Sequence, residues 1–130
     1  MDAVAERIIG EACAAPVPDE DWPEQAGAMI QALRDAMLAH TDGARIIVEM
    51  GAPGPLAQAY TERLHRLFTE AGMDRPTAEA AADVLTSYLN GYTIEEQAHK
   101  GGHQRAEADR RFTFGLNLVL AGLRTIPTAT

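Results

Sequence analysis

Apolar residues recur along much of this chain at intervals of three and four, which is the spacing of one face of an α-helix. Alanine, the strongest helix former, is abundant, and no stretch alternates apolar and polar residues as a half-buried strand would. The clearest apolar stripe comprises Trp22, Ala26, Met29, Leu33 and Met37. The pattern predicts an all-α protein.

Prolines, glycines and acidic residues divide the chain into about six predicted helices. Pro16 and Pro18 end the first segment, Gly72 ends the fourth, and Asp74 with Pro76 begins the fifth. The expected helices cover residues 2–14, 22–40, 44–50, 56–71, 74–99 and 105–126. A chain of 130 residues is long enough for one domain with a real core, so we expect a single helical domain over residues 1–130.

The fifth and last predicted helices are apolar on more than one face. A helix that is apolar on two sides is buried on two sides, and in a small domain one of those sides is expected to meet a second subunit. Two such helices per subunit predict a homodimer built on a four-helix bundle; the alternative is a monomer that buries both helices centrally. The predicted interface residues are Leu85, Leu89, Tyr92, Leu116, Leu118, Val119 and Leu123.

The charge balance argues against direct binding of nucleic acid. With 11 basic and 19 acidic residues the net charge is −8, whereas a polyanion requires several clustered positive charges. The densest basic group, Arg105, Arg110 and Arg111, is interleaved with Glu107 and Asp109, as on a solvated helix face.

Membrane insertion and secretion are not expected either. The longest apolar runs, such as residues 118–121, are far too short to span a bilayer, and the start of the chain lacks the features of a signal peptide. Cys13 is the single cysteine and cannot form an internal disulfide, which fits the cytoplasm. Its position on an amphipathic helix indicates a small packing residue rather than a nucleophile.

Several strings, in order and at compatible spacings, resemble the C-terminal domain of tetracycline-repressor-type regulators. They are Trp22 at a helix start, Leu-Arg-Asp-Ala-Met-Leu at 33–38 leading into Asp-Gly-Ala-Arg at 42–45, Ala-Gly-Met at 71–73, Leu-Asn-Gly-Tyr-Thr-Ile-Glu-Glu-Gln at 89–97, Phe-Thr-Phe-Gly-Leu at 112–116 and Leu-Ala-Gly-Leu at 120–123. The resemblance covers nearly the whole chain from Asp2. It begins at the helix that follows the family's DNA-binding head, so operator binding is not expected from this chain.

The resemblance implies a domain that binds a small effector among its middle helices and dimerises through its last two long helices. The residues that it places around the effector cavity are Met29, Leu33, Met37, Ile47, Met50, Leu64, Phe68, Tyr88 and Glu95. The apolar stripe Met29, Leu33 and Met37 is equally typical of a plain core. Likewise, the strip of Tyr88, Tyr92, Glu95 and His99 is either a polar wall of the cavity or interface packing.

The chain departs from the tetracycline binder at the positions that hold drug and metal there. These positions correspond to Glu11, Met29, Ile47 and Leu64 here, and the imidazole that binds the magnesium–drug chelate falls at Ile47. A side chain without a lone pair cannot ligate a cation, so we expect neither tetracycline nor a metal or other cofactor. The expected ligand is small and largely apolar.

Two alternatives to a regulator's effector domain stay open. One is an enzyme that uses the cavity as its active site, with Glu95 or Glu11 as acid or base assisted by Tyr88 or His99. The other is a stand-alone protein that sequesters a ligand or serves as an interaction module. His99 and His103 are four residues apart, but the glycines between them predict a solvated loop rather than a metal site.

Overall fold

Six α-helices make up the secondary structure of the part of the chain that the structure describes. The structure, a computed structural model, describes residues 3–50, 54–99 and 104–128, and within those ranges it contains no strand. The helices are α1 (Ala3–Ala14), α2 (Trp22–Leu38), α3 (Gly43–Met50), α4 (Pro55–Glu70), α5 (Arg75–Ala98) and α6 (Arg105–Leu123). The predicted all-α class and the six segments are confirmed.

The largest differences from the predicted bounds are at the ends of α2 and α6, which finish two and three residues early. In both places the backbone continues as a tighter turn with hydrogen bonds between residues three apart. His40 N–H donates to the Met37 carbonyl oxygen at 3.2 Å, and Ile126 N–H donates to that of Leu123 at 3.1 Å. These turns satisfy carbonyl groups that a helix end would otherwise leave unpaired.

Local signals explain where α5 begins and where α4 ends. Asp74 caps α5 because its carboxylate accepts a hydrogen bond from Thr77 N–H at 2.9 Å. Gly72 ends α4 in the left-handed region, with a φ of 109°, and Met73 N–H reaches back to the Phe68 carbonyl oxygen at 3.1 Å. This Schellman arrangement stops the helix and turns the chain towards α5.

α2 is the central element of the fold, because it packs against each of the other five helices. α1 packs against α2, α3 and α4, whereas α6 packs only against α2 and α5 among the described helices. One apolar core runs through all of them, and its largest fully buried apolar side chains are Ile8, Ile30, Met37, Leu64, Phe68, Leu85, Leu89 and Phe112. None of the described helices combines the length and apolarity needed to cross a membrane.

The corner between α2 and α3 is held by a side chain from α5. The amide nitrogen of Gln97 donates to the carbonyl oxygens of Met37 and His40, at 3.2 and 3.3 Å, and its oxygen accepts from Ala44 N–H at 3.0 Å. Asp42 adopts a φ of 55° within this corner. Gln97 therefore pairs backbone groups at the end of one helix and the start of the next.

Gly43 is required at this corner by the close approach of the α2 backbone. A Cβ atom at position 43 would overlap with the carbonyl oxygen of Met37, which belongs to the backbone and cannot move aside as a side chain does. We expect Gly43→Ala to lower the free energy of unfolding by about 1–3 kcal/mol. Chemical denaturation of both proteins measures this change.

Gly91→Ala provides the matched control. Gly91 is exposed within α5, and a Cβ there meets nothing within 4 Å. Alanine in a helix interior is better than glycine by about 0.5–1 kcal/mol, so this variant should be as stable as the wild type or more so. Equal effects of the two substitutions would show that the corner is not tightly packed.

Candidate functional site

Six of the predicted ligand-binding residues are buried in the apolar core, and we call this set the α2–α4 cluster. Each of their side chains is at most 9% exposed, and all belong to the contiguous core. The members are Met29, Leu33 and Met37 on α2, Ile47 on α3, and Leu64 and Phe68 on α4. α2 packs against both α3 and α4, and each of the three helices turns its apolar stripe towards the core. That they contact a ligand stays a prediction.

Two aromatic side chains border the α2–α4 cluster. Trp22 packs edge-on against Phe68 with ring centroids 5.6 Å apart, and the hydroxyl of Tyr60 donates to the Met29 carbonyl oxygen at 3.0 Å. Burial raises the pKa of Tyr60 well above its ordinary value, so this phenol stays neutral at physiological pH. The surroundings of the cluster are therefore apolar and uncharged at this point.

The remaining predicted ligand-binding residues lie elsewhere. The side chain of Met50 falls outside the described residues. Tyr88 is directed at α6, where its ring stacks on Phe112 at 5.1 Å and its hydroxyl donates to the Phe112 carbonyl oxygen at 2.8 Å. Glu95 is exposed in an open groove of about 280 Å³, whose lining residues are Tyr92, Glu95, Glu96, His99, Ala108 and Arg111.

No constellation of metal ligands is present in the part of the chain that the structure describes. Within residues 3–50, 54–99 and 104–128, no three His, Cys, Asp or Glu side chains are placed to hold an ion. His103 lies outside the described residues, as does the segment 100–102. The imidazole of His40 is instead within 3.0 Å of the Glu11 carboxylate, which joins the end of α2 to α1.

The predicted interface residues separate into two groups. Leu85, Leu89, Leu116 and Leu123 are at most 7% exposed and pack inside the subunit. Tyr92 and Val119 are half-buried, and Leu118 is 61% exposed. The four buried leucines belong to the stripes that attach α5 and α6 to the core, so in the subunit as described they offer little surface to a partner.

A different set of apolar side chains is exposed on α5 and α6, and we call it the outer face. It consists of Val84, Phe114 and Leu118, which are 51%, 68% and 61% exposed. Val84 and Phe114 were not among the predicted interface residues, although the signal for Phe114 is present in the sequence. Phe114 is two residues after the buried Phe112, and two residues rotate a helix by about 200°. The two phenylalanines therefore lie on opposite sides of α6.

The sequence pattern also did not reveal the buried charge at the junction of α2, α5 and α6. The side chain of Arg34 is only 1% exposed. Its Nη2 donates to both oxygens of Glu96 on α5, at 2.9 and 3.0 Å, and its Nη1 donates to Asp109 on α6 at 2.7 Å. The guanidinium also lies over the Phe112 ring, 4.7 Å from its centroid. One side chain of α2 thus contacts two further helices.

Aromatic packing surrounds this charge. Tyr92 meets the Phe112 ring edge-on at 5.4 Å, while Tyr88 stacks on the same ring from α5. A Cβ at position 115 would overlap with the Tyr88 hydroxyl, so glycine at this position allows the tyrosine to reach the backbone of α6. Burial raises the pKa of Tyr88 to about 12, so its hydroxyl keeps its proton and its hydrogen bond at neutral pH.

The charged groups of this junction stabilise each other. Burial disfavours the charge of Arg34, but hydrogen bonds to Asp109 and Glu96 outweigh that effect, and the pKa of Arg34 is raised above its ordinary value. For Asp109, burial raises the pKa, but hydrogen bonds from Arg105 and Arg34 act against it more strongly, and the pKa falls below 3.8. Both side chains are therefore charged at neutral pH.

Comparison with known families identifies one model that covers most of the chain. The model described as the tetracyclin repressor-like, C-terminal domain matches residues 15–108. The class A tetracycline repressor protein from transposon 1721 of Escherichia coli is 32% identical over 100 residues, which are 75% of this chain and 46% of that protein. The chain spans about half the length of this curated relative.

Solved structures with the same fold include three from different bacteria. A possible TetR family transcriptional regulator from Streptomyces coelicolor has a TM-score of 0.80 at 28% identity, over 95% of this chain and 74% of that one. Mycobacterium smegmatis BioQ has 0.79 at 34% identity, over 93% and 69%. A TetR variant from Acinetobacter baumannii AYE in complex with minocycline has 0.83 at 26% identity, over 98% and 72%.

The charge on Asp109 makes the junction sensitive to acid. Because its pKa in the folded protein lies below the ordinary 3.8, its contribution to stability is fully present well above that value and is lost as the pH falls through the lower, folded pKa. We expect wild type to exceed Asp109→Asn in melting temperature at pH 7 and at pH 5. The difference should shrink below about pH 4. Thermal melts at pH 3, 5 and 7 test this, and an undiminished difference at pH 3 would contradict it.

Proposed function

The chain belongs to the family of tetracycline-repressor-like C-terminal domains, and from that premise we propose that it is the effector-binding and dimerising domain of a transcriptional regulator. Each subunit binds a small, largely apolar molecule among α2, α3 and α4. Two copies of the chain pair through the outer face of α5 and α6.

The burial of six predicted ligand-binding residues of α2, α3 and α4 in the apolar core is the observation that supports effector binding. Ligand sites are mostly apolar with a few placed polar groups, and methionine side chains such as Met29 and Met37 adapt to ligands of varied shape. The related Acinetobacter baumannii protein was crystallised in complex with minocycline. At Met29, Ile47 and Leu64 this chain presents apolar side chains where the resemblance places polar drug contacts, which favours a less polar effector.

The pairing of basic with acidic side chains supports the view that this domain does not bind DNA directly. Arg45, Arg75 and Arg111 each form an ion pair with a carboxylate four residues away on the same helix, at 2.9–3.1 Å. Arg124 pairs with Glu24 at 2.8 Å. With a net charge of −8, little positive charge is left to neutralise phosphates. DNA binding by the regulator would therefore have to come from another part of the protein.

Exposure of the outer face supports dimerisation. Large apolar side chains that are more than half exposed and close together usually mark an interaction site. Val84 on α5 and Phe114 and Leu118 on α6 are each more than half exposed, and Phe114 and Leu118 lie one turn apart on the same side of α6. A two-fold axis would place the same face of a second copy against them and form a four-helix bundle from two helices of each subunit.

The enzyme hypothesis gains less support from the side chains that it requires. Both candidate carboxylates, Glu95 and Glu11, are exposed, and that of Glu11 contacts the His40 ring. An active site in the α2–α4 cluster would need a carboxylate beside its apolar side chains. Binding without chemistry is the function that the described arrangement favours.

Leu33→Trp tests the position of the ligand site. Leu33 is 6% exposed within the α2–α4 cluster, so an indole in its place occupies the space that we assign to the effector. We expect wild type, incubated with an extract of its host and examined by native mass spectrometry, to carry one small molecule per subunit. Leu33→Trp should carry none while keeping its oligomeric state.

A matched control separates blockage of the site from general disturbance of the core. Leu123 is 7% exposed at the end of α6, so Leu123→Trp enlarges an equally buried side chain on a helix that contributes no residue to the α2–α4 cluster. This variant should retain the small molecule. Normal occupancy in Leu33→Trp would show that the site is misplaced, and wild type that binds nothing would contradict effector binding.

Leu118→Arg tests the outer face. Leu118 is already 61% exposed in the subunit, so the substitution should leave folding intact but place a charge inside the dimer interface, where burial is costly. We expect light scattering to give twice the 14.0 kDa chain mass for wild type and about the chain mass for the variant.

Leu56→Arg is the corresponding control, because Leu56 is an apolar side chain that is 40% exposed on α4 rather than on the outer face. It should remain dimeric. If Leu118→Arg is also dimeric, the interface lies elsewhere, and if wild type is monomeric at all concentrations, the pairing proposal fails.

A further inference from the structure

Arg34 has no part in the proposed function, although it is the largest fully buried side chain of the described residues. It lies on α2 immediately after Leu33, but it points towards Glu96 and Asp109 instead of the α2–α4 cluster. Its Nε is buried without a hydrogen-bond partner. A charge in this position needs an explanation beyond packing.

Burial of such a charge is a poor way to add stability. Removing ions from water costs free energy that their mutual attraction does not reliably return, and apolar side chains of similar size often serve stability as well or better. In some proteins a buried polar or ionic group selects one arrangement among several, because any other arrangement leaves it unpaired. The planar fork of a guanidinium accepts only a narrow range of carboxylate positions.

The arrangement that Arg34 selects concerns α6. Among the described helices α6 packs against α2 and α5 only, so few contacts determine how far it is rotated about its axis. Arg34 bonds Asp109 at 2.7 Å near the start of α6, and its guanidinium covers the Phe112 ring one turn later. These two contacts specify which side of α6 faces α2.

The opposite side of α6 carries the outer face. Because Phe112 and Phe114 are about 200° apart around the helix, a rotation that removes Phe112 from Arg34 also turns Phe114 and Leu118. We propose that Arg34 is a positioning residue that sets the rotation of α6 and thereby shapes the surface through which two copies pair. This inference rests on the proposed dimer.

The test compares wild type with Arg34→Met and Asp109→Asn. Methionine keeps an unbranched side chain without the charge, and Asp109→Asn, at a half-exposed position, weakens the bond from Arg34 to α6 together with the ion pair to Arg105 on the same helix. We expect both variants to weaken self-association, measured by sedimentation velocity, by about tenfold or more. Hydrogen–deuterium exchange should become faster in peptides of α6, while those of α1 stay protected.

Ile8→Ala controls for general loss of stability. Ile8 is fully buried on α1, which has no contact with α5 or α6 among the described helices, and its truncation lowers the melting temperature through a cavity. This variant should show the reverse pattern, with faster exchange in α1 and a dimer dissociation constant within about twofold of wild type.

The outcomes distinguish this inference from the proposed dimer. If wild type is dimeric, and Arg34→Met and Asp109→Asn both associate and exchange as wild type does, the role of Arg34 is overturned and the proposed dimer stands. Monomeric wild type overturns the dimer and the role of Arg34 in pairing with it. If Ile8→Ala weakens association as much as the junction variants, the effect is general destabilisation and the inference fails. If Arg34→Met does not fold, Asp109→Asn alone decides the question, and unchanged association and exchange in that variant overturn the role of Arg34.

Discussion

The positive charge of Arg34, held away from water where α2, α5 and α6 meet, is the constraint on which the arrangement of the long helices depends. A buried guanidinium must keep its carboxylate partners, and these belong to α5 through Glu96 and to α6 through Asp109. Apolar packing alone tolerates small rotations and slides between helices. The directional bonds of the junction do not tolerate such movements. The stacked rings of Tyr88 and Phe112 restrict α5 and α6 further.

The two sides of α2 have different chemistry, and this difference organises the proposed function. One side contributes Met29, Leu33 and Met37 to the apolar α2–α4 cluster, while Arg34 on another side binds the helices that carry the outer face. A ligand that displaced α2 would therefore also act on the junction. Allosteric coupling requires such a shared element with two arrangements, and α2 is the element that contacts both regions here.

Membership of the tetracycline-repressor-like family explains the fold without specifying the ligand. Relatives with 26–34% identity keep the helical arrangement over more than nine-tenths of this chain. Side chains that line a site change more readily than the packing that positions it. Ile47, which lies where the resemblance expects an imidazole, is an example of such a change. For the proposed effector site, the chemical nature of the cluster, apolar and bordered by the neutral phenol of Tyr60, is therefore a better guide than the relatives are.

The sequence by itself determined the helices and the family. Periodicity, the prolines of the first turns, and Gly72 act over a few residues, and these local effects placed the six helices to within about three residues. It also indicated that α5 and α6 are apolar on two sides. Only the tertiary structure decided which side faces the core. Periodicity defines a stripe but not its neighbour, so Leu85, Leu89, Leu116 and Leu123 were expected at an interface and lie in the interior. The burial of Arg34 was hidden for the same reason, because its partners, Glu96 and Asp109, are more than 60 residues away in sequence.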